Sequence, residues 1–306
     1  MTRQPDIGIV GGAGFIGAAT CAVLAQRDVA VRVIDRLPRA GAIAIDIAAH
    51  DAEELLCEAF SGLRAVIHLA ARVDPPNGKE REQMRALHIE GTRHVVRAAV
   101  RAGVQKVVLA SSAVVYGAWA DNPVPLHEDA PLRPNEEFPY AVDKAAQERV
   151  LLQERGSLKT AIARPAIVYG RGAKNYLTEI LRYAPALPAL DGRRPPLQFV
   201  HVDDVARALA HLASGDLEGV FNVAPDDWLS HEDVARIAHK RVVFVPHRWV
   251  VPLLDALTHV LPAHLRAPAG MLPYLKYPFV LSSQKLAAAG CAPRVTSEEA
   301  LREILR

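Results

Sequence analysis

Apolar and polar positions in the first half of the chain switch between two rhythms. Residues 6–10 form a short apolar run, a glycine cluster follows, and residues 15–26 are compatible with a helix. The run 29–35 (VAVRVID) predicts a second strand, 42–47 (AIAIDI) a third, and 51–60 a helix capped by Asp51. Residues 64–69 (RAVIHL) predict a fourth strand, 79–102 a long helix stopped by Gly103, and 106–111 (KVVLAS) a fifth strand. Another helix opens at Phe138, and a strand covers 158–163. Strands alternating with helices in this way predict a parallel sheet covered on both faces.

Beyond Arg164 the pattern changes. Pro185, Pro188, Pro195 and Pro196 punctuate a stretch with little helical periodicity, where a substrate-binding lobe is expected to leave the sheet. Residues 197–202 (LQFVHV) are strand-like again, with Asp203 and Asp204 as the expected cap of a helix over 205–213. The expected division is a nucleotide-binding domain over 1–165, to which the chain returns at about 197–225, with 166–196 and 226–306 forming the lobe. The apolar, proline-broken stretches 242–245, 249–261 and 271–281 read as the lobe's own core, a cover over an apolar substrate, or a membrane-surface patch.

Composition narrows the partners. A formal net charge of +2 over 306 residues, without a long basic run, gives no electrostatic case for nucleic acid, so a small-molecule substrate is expected. Cys21, Cys57 and Cys291 are odd in number and far apart, unlike a disulfide framework or a zinc site, which points to a reducing, cytoplasmic setting. No leader-like segment opens the chain, and no run reaches the roughly 20 apolar residues of a membrane span. No histidine pair has metal-ligand spacing with carboxylate support; no metal is expected, and His201 reads as structural.

The chemistry begins in the glycine cluster. Gly12, Gly14 and Gly17 fit one dinucleotide-binding spacing, and Gly11, Gly14 and Gly17 a wider one. The helix that follows aims unpaired N–H groups and its positive dipole end at a pyrophosphate. Asp35 ends the second strand where a carboxylate accepts from a free ribose 2′-hydroxyl, which favours NAD; Arg36 beside it leaves NADP open. Asp46 ends the third strand facing the same crevice, where it reads either as a bond to the adenine or as a solvated turn residue, and His68-Leu69-Ala70-Ala71 ends the fourth with small residues against which a flat ring can lie. The fifth strand delivers Ser111 and Ser112. Tyr140 and Lys144 are four apart, hence on one helical face. A phenol near pKa 10 is a poor base until a cation stabilises its phenolate, and Lys144 is placed to do so while Ser112 holds the substrate oxygen.

Together these residues resemble the extended short-chain dehydrogenase/reductase family, in its NAD-dependent epimerase/dehydratase branch. The landmarks are Gly11 to Gly17 (GGAGFIG), Asp35, Asp46-Ile47, His68 to Ala71 (HLAA), Ser111-Ser112 with Tyr116-Gly117, Tyr140 with Lys144, Arg164-Pro165 with Tyr169-Gly170, and residues 199–204 (FVHVDD). The resemblance implies an α/β fold, a Rossmann-type doubly wound parallel sheet with a smaller, mostly C-terminal substrate lobe. It implies a cofactor held by Gly11, Gly14, Phe15, Ile16 and Gly17, by Asp35, Arg36, Asp46 and Ile47, and by Leu69, Ala70, Ala71 and Pro165. Tyr140 is the implied acid/base, Lys144 the implied contact to the nicotinamide ribose, and Ser112 the implied partner of the substrate oxygen. Val114, Ile167, Asn175 and Arg193 complete the expected substrate contacts, and a homodimer is expected by analogy.

Departures from the family pattern bear on the substrate. Ala113 and Val114 stand where dehydratases carry an Asp-Glu pair and decarboxylases a glutamate, so elimination and decarboxylation are not expected. Ile167 and Leu197 replace the asparagine and arginine that serve a nucleotide-sugar diphosphate; Arg171, Lys174, Arg193 and Arg194 are the candidate substitutes. His88 replaces a common asparagine. The expectation is an NAD-dependent oxidoreductase or epimerase acting on a sugar or sugar-nucleotide-like substrate. The alternative is a dehydrogenase/reductase of an apolar, steroid-, terpenoid- or polyketide-like alcohol or ketone, and a minor one is a non-catalytic NAD(P)-sensing regulator.

Overall fold

The computed structural model describes residues 6–38, 41–73, 78–171, 173, 181, 184–246, 248 and 269–305. Asn175, Lys174 and the apolar run 249–261 therefore lie outside the described residues.

Short aliphatic runs build the centre. In chain order the strands are β1 (Ile7–Val10), β2 (Val31–Asp35), β3 (Ala42–Ala44), β4 (Ala65–His68), β5 (Lys106–Ala110), β6 (Lys159–Pro165), β7 (Ile167–Tyr169), β8 (Ala186–Leu190), β9 (Phe199–His201), β10 (Gly219–Val223) and β11 (Arg241–Val245). Seven of them form one sheet in the order β10-β6-β5-β4-β1-β2-β3, every pairing parallel. β1, β4 and β5 are buried at every position, as strands covered on both faces must be.

The coverings are α1 (Phe15–Ala25) with α5 (Val202–Ser214) on one face, and α2 (Ala52–Phe60), α3 (Gly78–Arg101) and α4 (Pro139–Glu154) on the other. Strand periodicity divides the core accordingly. Ile7, Ile9, Ile67 and Val108 pack with Leu24, Val205 and Leu209. Val10, Val66, Val107 and Leu109 pack with Leu56, Phe60, Val95 and Leu151. Two further parallel pairs, β7 with β9 and β8 with β11, lie beyond the carboxyl end of the chain's sixth strand together with α6 (His231–Ile237) and α8 (Ser297–Ile304). A short helix α7 (Gln284–Ala288) adjoins β10.

Three local details differ from the expected pattern. α5 begins at Val202 because His201 caps it, Nδ1 accepting the Asp203 N–H at 3.2 Å. Asp204 instead turns to the last third of the chain, where Oδ2 accepts from the N–H groups of Arg294 and Val295 at 2.9 and 2.8 Å. Asp51 precedes α2 without a side-chain capping bond. β3 stops at Ala44, and Asp46 folds onto the Ala48 N–H at 3.0 Å, a short polar side chain competing with the ladder. Among the described residues, no helix is long and apolar enough to cross a membrane, and no cluster of metal-ligating side chains occurs.

Candidate active site

A single cavity of about 1020 Å³ opens along the carboxyl edge of the sheet and runs outward to β8 and β9. Its inner end is walled by backbone. Gly11 has φ +84°, and a Cβ there would sit 2.7 Å from the Ala70 nitrogen; one on Gly17 would sit 2.5 Å from the Gly11 carbonyl oxygen. Gly12 is crowded mainly by a Val33 methyl group. The backbone demands thus fall on Gly11 and Gly17, with Gly14 as the N-cap of α1, which is the wider of the two glycine spacings. No acidic residue occupies the first turn of α1, whose N-terminal residues line the cavity.

Asp35 is half-buried at the end of β2. Its Oδ2 accepts from Ala13 N–H at 3.0 Å and its Oδ1 from Leu37 N–H at 3.2 Å, which orients the carboxylate at the cavity rim. Arg36, Asp46, Ile47, Leu69, Ala70, Ala71, Phe15, Ile16 and Pro165 line the same cavity. Arg36 and Asp46 are exposed, while Ile47 is buried.

Ser112, Tyr140 and Lys144 meet at the middle of the cavity. Ser112 follows β5 in extended backbone, and its Oγ accepts the Val114 N–H at the start of the 3-10 turn Ala113–Tyr116. Lys144 Nζ lies 5.8 Å from the Tyr140 ring centre and donates to the Ala110 carbonyl at 2.8 Å. Burial pulls the Lys144 ammonium down to about 8, with Glu148 opposing. The Tyr140 phenol shifts the other way. Burial holds it above the usual phenol range, and the hydrogen bond with Ser112 offsets this only in part. The resting side chain is therefore a phenol with a proton to give.

The helix carrying both residues is anchored one turn further on. Glu148 accepts from Arg164 through Nε at 2.9 Å and Nη2 at 2.6 Å, and also from the Ser111 hydroxyl. Arg164 Nη1 donates to Tyr116 Oη at 2.7 Å, which donates to Asn222 Oδ1 at 2.8 Å. This buried chain ties α4 to β5, β6 and β10.

A second network was not foreseen from the sequence. Arg81 grips Asp143 with Nη1 at 2.6 Å and Nη2 at 3.2 Å. His88 Nε2 accepts the Arg72 N–H at 3.0 Å, so its proton sits on Nδ1, facing Asp143 at 3.3 Å. The His88 ring meets Tyr140 edge-on, with centres 5.9 Å apart. Burial is the largest influence on His88 and lowers it. The sequence signal was the asparagine replacement at His88; its partner Asp143 reads as an ordinary helix residue.

The outer end is made of side chains. Val114, Ile167, Leu187, Leu197, Phe199 and Met271 line it. Tyr274 lines it too, and turns its hydroxyl away to donate to the Val114 carbonyl at 3.0 Å. Rings of Tyr140, Phe138, Tyr274 and Phe279 follow one another at centre distances of 5.8, 5.6 and 4.8 Å. Val114 and Ile167 thus line the cavity as expected of substrate contacts. Arg193 does not: it is exposed in the turn after β8 and takes no part in the wall, and Arg194 pairs instead with Glu232. Arg36, Arg72 and Lys144 are the arginine and lysine residues among the described lining residues.

Comparison with known proteins places this geometry. Residues 7–224 match the NAD dependent epimerase/dehydratase family. A UDP-glucose 4-epimerase of Azospirillum brasilense is 31% identical over 257 residues, covering 70% of this chain and 72% of that protein. A 3-diazoavenalumate denitrifying reductase of a Streptomyces species is 31% identical over 245 residues, covering 73% and 79%. The chain spans 59% of the length of an uncharacterized protein of Sinorhizobium fredii, to which it is 27% identical over 249 residues, 76% of this chain. Among solved structures, MoeE5 in complex with UDP-glucose and NAD superimposes with a TM-score of 0.72 at 26% identity, covering 98% of this chain and 97% of that one. The parallel sheet, the glycine turn and the matched span of sequence agree: the chain belongs to the NAD dependent epimerase/dehydratase family.

Proposed function

We propose that the chain is an NAD-dependent oxidoreductase of the short-chain dehydrogenase type, acting on an alcohol or ketone carbon of a largely apolar, uncharged substrate. The residues fit the cofactor. Gly11 and Gly17 let the turn pack against the main chain of Ala70, Gly11 and Gly12, which brings the N-terminus of α1 to the cavity where a pyrophosphate would lie, and the Asp35 carboxylate suits a free ribose hydroxyl. NAD, when bound, supplies the acceptor or donor of hydride.

The chain's own residues supply the rest. Ser112 hydrogen-bonds the substrate oxygen and fixes it beside the Tyr140 hydroxyl. In the reducing direction Tyr140 donates its proton to that oxygen, for which a half-buried phenol held in its protonated form is suited. In the oxidising direction it must first lose the proton, and Lys144 is the cation that stabilises the phenolate. Glu148 and Arg164 hold α4, and with it both side chains, against the end of β5.

One observation carries the substrate class. The outer wall presents aliphatic and aromatic side chains, and no arginine or lysine among its described residues answers a diphosphate. A second reading, epimerisation of a sugar nucleotide with retained NAD, is favoured by the likeness to the UDP-glucose 4-epimerase and to MoeE5.

The two readings separate in one set of assays. Apolar cyclic ketones are expected to consume NADH, and Tyr140→Phe is expected to lower that turnover by about 100-fold or more. UDP raising the melting temperature, with no ketone turned over, would favour the second reading.

A further inference from the structure

His231 interrupts the apolar outer wall. It is the first residue of α6, is 2% exposed, and lines the cavity alongside Leu187, Leu197 and Phe199. Nδ1 lies 3.0 Å from the Pro195 carbonyl oxygen. A carbonyl only accepts, so Nδ1 carries the proton, and in the neutral ring Nε2 carries a lone pair. Among the described residues Nε2 has no hydrogen-bond partner. Nor is it one of the sealed, unpartnered polar atoms, which are His68 Nδ1, Arg133 Nε, Gln147 Oε1 and Tyr169 Oη. A nine-tenths-buried imidazole with one nitrogen committed to Pro195 therefore offers the other to the cavity.

We propose that His231 is a second hydrogen-bonding subsite, at which Nε2 accepts the hydroxyl of a substrate group distinct from the reacting carbonyl. The inference rests on the reading of this cavity as a site for an apolar alcohol or ketone. It narrows that class to molecules with an apolar frame, one oxidisable or reducible carbon, and one further hydroxyl. A substrate without that hydroxyl, or with a carbonyl in its place, buries Nε2 against a group that cannot donate, and discrimination follows from the group left unpaired.

The test measures kcat/KM with NADH and the full chain on matched ketones of two lengths. The short pair is 4-phenylcyclohexanone and 4-(4-hydroxyphenyl)cyclohexanone. The long set is 5α-androstan-3-one with its 17β-hydroxy and 17-keto derivatives. In at least one set the hydroxylated member is expected to be favoured by roughly tenfold or more, over the 17-keto compound as well as the unsubstituted one. His231→Phe is expected to abolish the preference, and His231→Gln, which keeps an acceptor, to retain part of it. Equal kcat/KM within both sets, a preference for the carbonyl, or a preference unchanged in His231→Phe overturns the proposal while leaving the apolar reading intact. If the phenylalanine variant does not fold, the hydroxyl-against-carbonyl comparison in the native protein decides alone. If no ketone is turned over and none shifts the melting temperature, the apolar reading falls, and this proposal with it.

Discussion

The two ends of the cavity are built on different principles. At the inner end the wall is backbone: Gly11 lies against Ala70, and Gly17 against the main chain of Gly11 and Gly12. At the outer end the wall is side chains brought from separate stretches, with Val114, Ile167, Leu187, Leu197 and Met271 meeting across it. A backbone wall cannot yield without moving a strand of the central sheet, whereas aliphatic side chains exchange rotamers and repack at modest cost. The inner end is a fixed mould for one ligand; the outer end is adjustable, and small changes there alter which molecule is accepted.

The comparison breaks most visibly at Gly17. Alanine there gains about 1 kcal/mol of helix propensity, but its Cβ meets backbone at 2.5 Å and 2.6 Å, and overpacking of this kind costs about 1–3 kcal/mol or more. NADH affinity, read by fluorescence titration, is expected to fall about 100-fold or more; a loss under about threefold would show that the wall gives.

Lys144→Met probes the junction between the ends. The folded-state pKa of Lys144 is lowered to about 8 from 10.5, so a charged lysine is buried at neutral pH at a cost of about 3 kcal/mol. That cost is full below pH 8 and disappears as pH rises towards 10.5, because between those limits the unfolded chain binds the extra proton. Denaturant titrations are expected to show the wild type gaining stability relative to the methionine variant over that window. A constant difference from pH 7 to 10 would remove burial as the cause.

The smallest effect belongs to Leu197→Ala, a half-buried side chain in the outer wall. Stability is expected to fall by about 1 kcal/mol and KM for an apolar ketone to change several-fold, with NADH affinity held within about twofold. If cofactor affinity moved as far as ketone KM, the two ends would not be separable.

The same division explains what could be read from the sequence. Gly11, Gly14, Gly17 and Asp35 fall within one strand-turn-helix-strand unit, so spacing along the chain is spacing in space. Tyr140 and Lys144 share a helical face for the same reason. The parallel sheet followed from alternating strand and helix rhythms. His231 and the Arg81–Asp143–His88 contact were not legible, because each depends on segments tens of residues apart being folded together, and hydrophobic periodicity reports only the local element. Proline-rich 185–196 concealed β8, whose partner β11 comes some 50 residues later. His201 as a cap was missed for a chemical reason: a histidine nitrogen took the role that the neighbouring aspartates usually take.

β10 carries a consequence for how the protein is made. It completes the sheet by pairing with β6, and residues 166–218 are synthesised between the two. At 5–20 residues per second, β6 emerges with an open edge for roughly 3–10 s before its neighbour exists. Arg164 waits about as long, and Tyr116 about twice as long, for Asn222, the residue of β10 that closes their buried hydrogen-bond chain. On the ribosome, the half-built sheet therefore keeps an open edge at β6, whose exposure ends when Asn222 and the rest of β10 arrive.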